Sequence, residues 1–221
     1  MLISLAAATL VLAAGAASPA DAGATITNPY LPLRPGRRWV YRVGDEREVV
    51  TVTQQTKHMA SGIEARVVRD EVTRKGVPTE ITDDAYAQDA EGNVWYVGEA
   101  TTKYEHGRPV STEGSFEAGV DGARAGIAMP AHPKVGMRYR QEYRKGHAED
   151  RAKIVSLNER VKVPLRRYRH TLMTLETNPL EPDDLEAKFY ARGVGPVLAV
   201  DLSGGADREE LIRAGGRTRR G

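Results

Sequence analysis

Cysteine is absent from the 221 residues. Its absence excludes a disulfide framework, a thiol-linked lipid anchor and nucleophilic catalysis by cysteine, so stability has to come from a packed core. Charge of one dominant sign is lacking too. The chain has 32 Lys and Arg against 30 Asp and Glu, and removal of residues 1–22 would take only Asp21 and leave a net charge of +3. That balance is too small and too mixed for nucleic acid to be a partner. Beyond residue 22 no apolar run approaches the roughly 20 residues of a membrane-crossing helix, so no transmembrane segment is expected in the mature chain. The Gly-x-Ser-x-Gly elbow and the P-loop are missing, and Gly193-Val194-Gly195-Pro196 lacks both a third glycine and a following helix. His147-Ala148-Glu149 has the His-x-Glu spacing of zinc deaminases, but these also need a Cys pair. No pattern asks for a cofactor.

What is present begins with Leu2–Ala17, an almost unbroken apolar run, followed by Ala20-Asp21-Ala22, a small-x-small cleavage pattern. Residues 1–22 therefore read as a signal peptide, and the product as an exported protein, periplasmic or extracellular and soluble after cleavage. No Lys or Arg precedes the apolar run, a feature that an upstream start codon would supply. Residues 23–213 read as a single β-rich domain, and 214–221, basic and glycine-rich, as a disordered tail.

Asn28–Gly36 holds three prolines and must be extended or turned, an ordered lead-in against the body. Strand-like runs follow about every ten residues. They cover 38–43, 48–53, 63–74, 79–88, 93–98 and 100–105, with turn chemistry at Gly44-Asp45, Lys75-Gly76, Asp89–Gly92 and His106-Gly107. The rhythm breaks over 114–136, which is rich in glycine; a short helix around Ala118–Ala125 is one option there. Strands resume over 137–143, 150–157, 161–163, 165–176, 185–191, 197–201 and 208–213. The expected fold is mainly β: an antiparallel meander curled into a barrel or half-barrel, or alternatively a two-sheet sandwich, apolar inside and wet outside.

Several blocks carry a resemblance. They are Asn28-Pro29-Tyr30 with Pro32, Pro35-Gly36 and Trp39-Val40-Tyr41; Tyr86–Asp89 with Gly92–Tyr96; Ser111–Ala123; Met129-Pro130-Ala131; Tyr139–Tyr143; and Tyr190-Ala191 with Gly193–Gly195. Together these resemble a family of exported bacterial β-rich proteins whose activity is uncharacterised, so the resemblance implies export and fold but no chemistry. A looser likeness is to half-barrels of the lipoprotein-carrier type, which implies an apolar ligand by analogy of fold alone.

Two sets of side chains carry possible function. Carboxylates and histidines gather around the irregular segment: Glu99, Glu105, His106, Glu113, Glu117, Asp121, His132, His147, Glu149 and Asp150. Glu113, Glu117 and Asp121, assisted by His132 or His147, are candidate acid/base groups for a hydrolase or lyase acting on an envelope or environmental polymer. Glu113, Glu117 and Asp121 are also candidate ligands for a divalent cation. The aromatic set Trp39, Tyr41, Trp95, Tyr96, Phe116, Tyr139 and Tyr143 offers stacking and apolar burial for a small-molecule or lipid ligand. The leading expectation is a non-catalytic exported binding protein, with the Gly-rich segment lying across one opening of the barrel.

Overall fold

In the computed structural model, residues 19–204 and 207–216 are described. The apolar leader 1–18 and the residues 217–221 lie outside them. Among the described residues there are fifteen strands. The first half is a meander of long hairpins: β1 (Arg37–Val43), β2 (Glu46–His58), β3 (Glu64–Arg74), β4 (Val77–Gln88) and β5 (Val94–Glu105). Short strands follow: β6 (Arg108–Ser111), β7 (Phe116–Glu117), β8 (Arg124–Met129), β9 (Arg138–Arg140) and β10 (Glu142–Tyr143). A second meander completes the chain: β11 (Arg151–Lys162), β12 (Arg167–Asn178), β13 (Glu181–Ala191), β14 (Gly195–Asp201) and β15 (Arg208–Gly216).

All of the pairing is antiparallel, in the order β10-β8-β5-β4-β3-β2-β1-β15-β14-β13-β12-β11-β9, with β6 and β7 also pairing with β5. The first and last strands meet in the middle, where Arg37 pairs with Gly216 and Val43 with Glu209. Residues 214–216 are thus held in β15. The two ends of the strand order, β9 and β10, are neighbours in the chain, separated only by Gln141. Arg138–Arg140 pairs with β11 on one side and Glu142–Tyr143 with β8 on the other. This short stretch brings both edges of the sheet together and nearly closes it into a barrel, leaving little unpaired edge.

Several boundaries differ from the sequence expectation for local reasons. The runs 93–98 and 100–105 are one strand, because Gly98 marks a close approach rather than a turn: an added Cβ would lie 2.6 Å from Met59 Cε and 3.2 Å from Phe116 O. The runs 150–157 and 161–163 likewise merge in β11, whose register against β12 shifts at three places. No helix forms around residues 118–125; Ala123 N donates to Val120 O and Gly119 N to Ala123 O in a tight turn that leads into β8. The segment does not lie across an opening. It is built into the wall, since β6, β7 and β8 all pair with β5.

The main core lies inside the barrel around Trp39, Tyr41, Val52, Val68, Ile154, Leu172 and Leu211, all 2% exposed or less. Burying a side chain such as Leu172 or Leu211 contributes roughly 1.5–3 kcal/mol. A second cluster covers the outer face of β3–β5, where Met59, Ile63, Ala65, Trp95, Val97 and Ala118 pack together. The lead-in is ordered as expected. Asn28 is buried, donates from Nδ2 to Gly92 O and Pro130 O at 3.0 and 3.1 Å, and accepts from Tyr30 N at 2.9 Å. It thereby fixes the chain that carries Leu31 and Leu33 into the interior core.

Candidate functional site

Strand alternation puts residues i and i+2 on the same face, and the inward face is not uniformly apolar, contrary to the sequence expectation. Trp39 and Tyr41 face inward on β1, Glu48 and Val50 on β2, Val68 and Asp70 on β3, Asp84 and Tyr86 on β4, and Lys188 and Tyr190 on β13. On β5 the alternation is broken by a bulge. Asp84 pairs with Glu99 and Tyr86 with Tyr96, so Val97 is the extra residue, and Tyr96 and Glu99 share the inner face. The bend at Gln141 similarly turns two successive residues, Gln141 and Glu142, toward the interior.

These side chains surround a cavity of about 330 Å³. Eight carboxyls line it: Glu48, Asp70, Asp84, Glu99, Glu142, Asp150, Glu176 and Glu209, with Lys188 the one cation among the described lining residues. Lys188 Nζ lies 3.1 Å from Glu176 and 3.0 Å from Glu186, and these carboxylates hold its pKa well above the ordinary lysine value against the opposing effect of burial. Glu176 also accepts from Thr174 Oγ1 at 2.8 Å and from the Tyr190 hydroxyl at 3.3 Å. That side of the cavity is internally satisfied.

The opposite side is not. The Tyr96 hydroxyl lies 2.5 Å from Asp84 Oδ1 and 3.0 Å from Glu99 Oε2, while Thr101 Oγ1 donates to Glu99 Oε1. A phenol has one proton to give, so both carboxyls are served only when one of them keeps its own proton. Asp84 is the better placed to do so, its pKa raised well above the ordinary range by burial against the lowering effect of its bond to the Tyr96 hydroxyl, with the nearby Glu99 adding to the rise. Glu142 is pushed up to about 8 by burial and by the nearby Asp150. Asp150 is pushed up to about 6, again chiefly by burial. Across the cavity burial raises Glu48 well above its ordinary value and Asp70 to about 6, Glu48 holding a proton toward Asp70, and raises Glu209 to about 7. Protonated carboxyls beside ionised ones both donate and accept, and proton sharing of this kind serves the binding of a polar or charged ligand as readily as acid/base chemistry. Tyr86 and Tyr96 stack with ring centroids 4.9 Å apart and add an aromatic wall.

The residues singled out in the sequence fall in different places. Trp39, Tyr41 and Tyr96 line the cavity. Phe116 packs edge-on against Tyr96 at 5.2 Å from behind, and Trp95 lies in the outer cluster with its indole nitrogen donating to Asp89 at 2.8 Å. Tyr139 packs against the main core, while Tyr143 carries the Arg140 guanidinium 4.2 Å from its ring centre. Glu113, Glu117 and Asp121 point elsewhere, into separate ion pairs with Lys103, Lys57 and Arg144. His132 and His147 are exposed. These five do not converge, and among the described residues no three His, Asp or Glu are placed to hold a metal ion. Of the wider acid and histidine set, Glu99 and Asp150 do reach the cavity. The other cavity carboxyls have a signal in the sequence that went unread: in Glu48-x-Val50, Val68-x-Asp70 and Asp84-x-Tyr86 a charged residue shares the inward face with an apolar one.

No helix among the described residues is long and apolar enough to cross a membrane. No protein-family model matches the chain, and no curated protein matches it. Among solved structures, an exported-protein candidate with a YmcC-like fold from Bacteroides fragilis is similar, with 15% identity, a TM-score of 0.47, and coverage of 84% of this chain and 98% of that one. A lipoprotein candidate from Parabacteroides distasonis is similar at 10% identity and a TM-score of 0.38, over 85% of this chain and 99% of that one.

Proposed function

We propose that this chain is an exported, non-catalytic binding protein that holds a small molecule inside its barrel. The observation that carries this reading is the cavity of about 330 Å³ bounded by Trp39, Tyr41, Tyr86, Tyr96 and Tyr190 and lined by polar groups. Such a space is of the size and mixed character of small-ligand sites. Eight carboxyls disfavour a lipid tail, because an acyl chain laid against them would strip their water without supplying donors. The leader Leu2–Ala17 and the Ala20-Asp21-Ala22 pattern support export.

Native mass spectrometry of the protein purified from its own host tests the proposal. A discrete bound mass that is released on unfolding is the expected result. A protein that carries nothing, and whose melting temperature no small-molecule extract of the host raises, would overturn it, since a ligand that binds only the folded state must stabilise it.

A further inference from the structure

Resting on the reading of the cavity as a ligand site, we propose that its occupant is an organic cation. The class is an aliphatic amine with one or more ammonium groups, seated against Glu142 with Asp84, Glu99 and Asp150 around it.

Glu142 is the starting point. It is 7% exposed, it lines the cavity, and it has no hydrogen bond or ion pair among the described residues. A buried carboxyl without a donor is costly, and several of the donors that face the same cavity are already engaged. The Tyr96 hydroxyl serves Asp84 and Glu99, Thr101 serves Glu99, and Lys188 lies between Glu176 and Glu186. The adjacent Gln141 Oε1 is also buried and without a donor. Two acceptors in succession are thus turned inward by the bend that closes the barrel, with no donor bonded to either.

The sign of the charge makes the ligand's donors cationic. One ammonium faces eight carboxyls across the lining, and it is already paired with Glu176 and Glu186. The nearby arginines point away: Arg124 and Arg140 stack on Tyr143, and Arg144 pairs with Asp121. An anion would be repelled, and a neutral polyol would leave the charge excess untouched. A bare divalent ion needs several oxygens arranged around one point, an arrangement that does not occur among the described residues. An amine brings N–H donors together with an aliphatic body, and the stacked Tyr86–Tyr96 pair offers it an aromatic face.

Proton linkage gives the inference its signature. Without a ligand burial favours protons on Glu142 and Asp84, and on Asp150 below about pH 6, with Glu99, Glu176 and the Lys188 ammonium also facing that space and the buried Tyr139 hydroxyl near Glu176. A cation takes the place of such a proton. Amine binding therefore releases protons and tightens as pH rises from 6 to 8, by up to about tenfold per unit for each proton displaced.

The test is calorimetric titration of the mature chain with spermidine and putrescine at pH 6 and pH 8, repeated in buffers of different ionisation enthalpy. Glucose, inositol, palmitate and MgCl2 serve as comparison probes. We expect the amines to bind, more tightly at pH 8, with proton release. Glu142→Gln should weaken binding about tenfold, the loss of one charge-assisted contact, without lowering the melting temperature of the free protein, whereas Glu113→Gln on the outer surface should leave binding unchanged. Binding of glucose, inositol or palmitate in preference to the amines, or amine binding indifferent to Glu142→Gln, would overturn the cation assignment and leave the binding-protein reading standing. If no probe binds and protein from the host carries no ligand, both fall.

Discussion

Gly126 on β8 packs directly against the Gln141 backbone: a Cβ added to it would overlap the Gln141 carbonyl and lie 2.6 Å from Arg140 O. The contact falls where the sheet's two edges come together, because residues 138–143 pair with β11 on one side and β8 on the other. Backbone cannot move aside as a flexible side chain can, so Gly126→Ala should separate β8 from this strand and cost at least about 1–3 kcal/mol. Urea denaturation would measure the loss, and an unchanged midpoint would show that the seam is not close-packed.

Stability of the ligand-free protein should fall as pH rises. Asp70 and Asp150 are held up to about 6, Glu209 to about 7 and Glu142 to about 8, all chiefly by burial. The folded chain thus keeps protons that the unfolded chain has already lost near pH 4, and the stability slope is negative wherever the folded state binds more protons. The decline begins above the unfolded carboxylate range and is complete above about pH 8. Thermal melts from pH 5 to pH 8 should show a drop on the order of 5 °C. A flat or rising profile would mean that these carboxyls titrate normally.

Tyr96→Phe should cost about 1–3 kcal/mol at pH 8, because it removes the hydroxyl shared by Asp84 and Glu99 while keeping the ring stacked on Tyr86. The same substitution should cost less at pH 5, where Asp84 holds its proton more readily and can itself donate across to its neighbour or to cavity water. Equal losses at the two pH values would argue against the shared proton.

Asp89→Ala should be more damaging than a turn substitution ordinarily is. Asp89 accepts from Asn93 N, Asn93 Nδ2 and Trp95 Nε1, each at 2.8 Å, and it is only 5% exposed. Truncation strands a buried indole N–H and should cost about 2–4 kcal/mol, with a change in tryptophan emission on the same transition.

Secreted protein should begin at Gly23. Intact-mass measurement would show it, and a mature chain that starts elsewhere would reassign the cleavage site. Gly23 exchanges backbone hydrogen bonds with Gln88 at 2.9 and 3.0 Å, so the new terminus would be anchored against β4.

The sequence carried the strands and their turns plainly, because paired β-branched and aromatic runs end at residues such as Lys75-Gly76, where β3 passes to β4. The barrel's closure did not show, since residues 137–143 read as one strand and nothing local marks the change of partner at Gln141. Most of the cavity's acids were missed for a related reason. Asp70 and Asp84 stand in alternating runs where a charge is ordinarily assigned to the wet face, and Tyr96 and Glu99 come together only through the bulge at Val97. The loop acids were conspicuous because they are exposed, and exposure is what lets Glu113 and Asp121 settle into ion pairs of little energetic weight.

The pairing of β1 with β15 sets the order of assembly. Arg37 finds Gly216 almost a full chain length away, and contacts so distant in sequence form slowly. A chain delivered N-terminus first can fold its opening hairpins early, but it cannot complete its cylinder until its last strand has arrived.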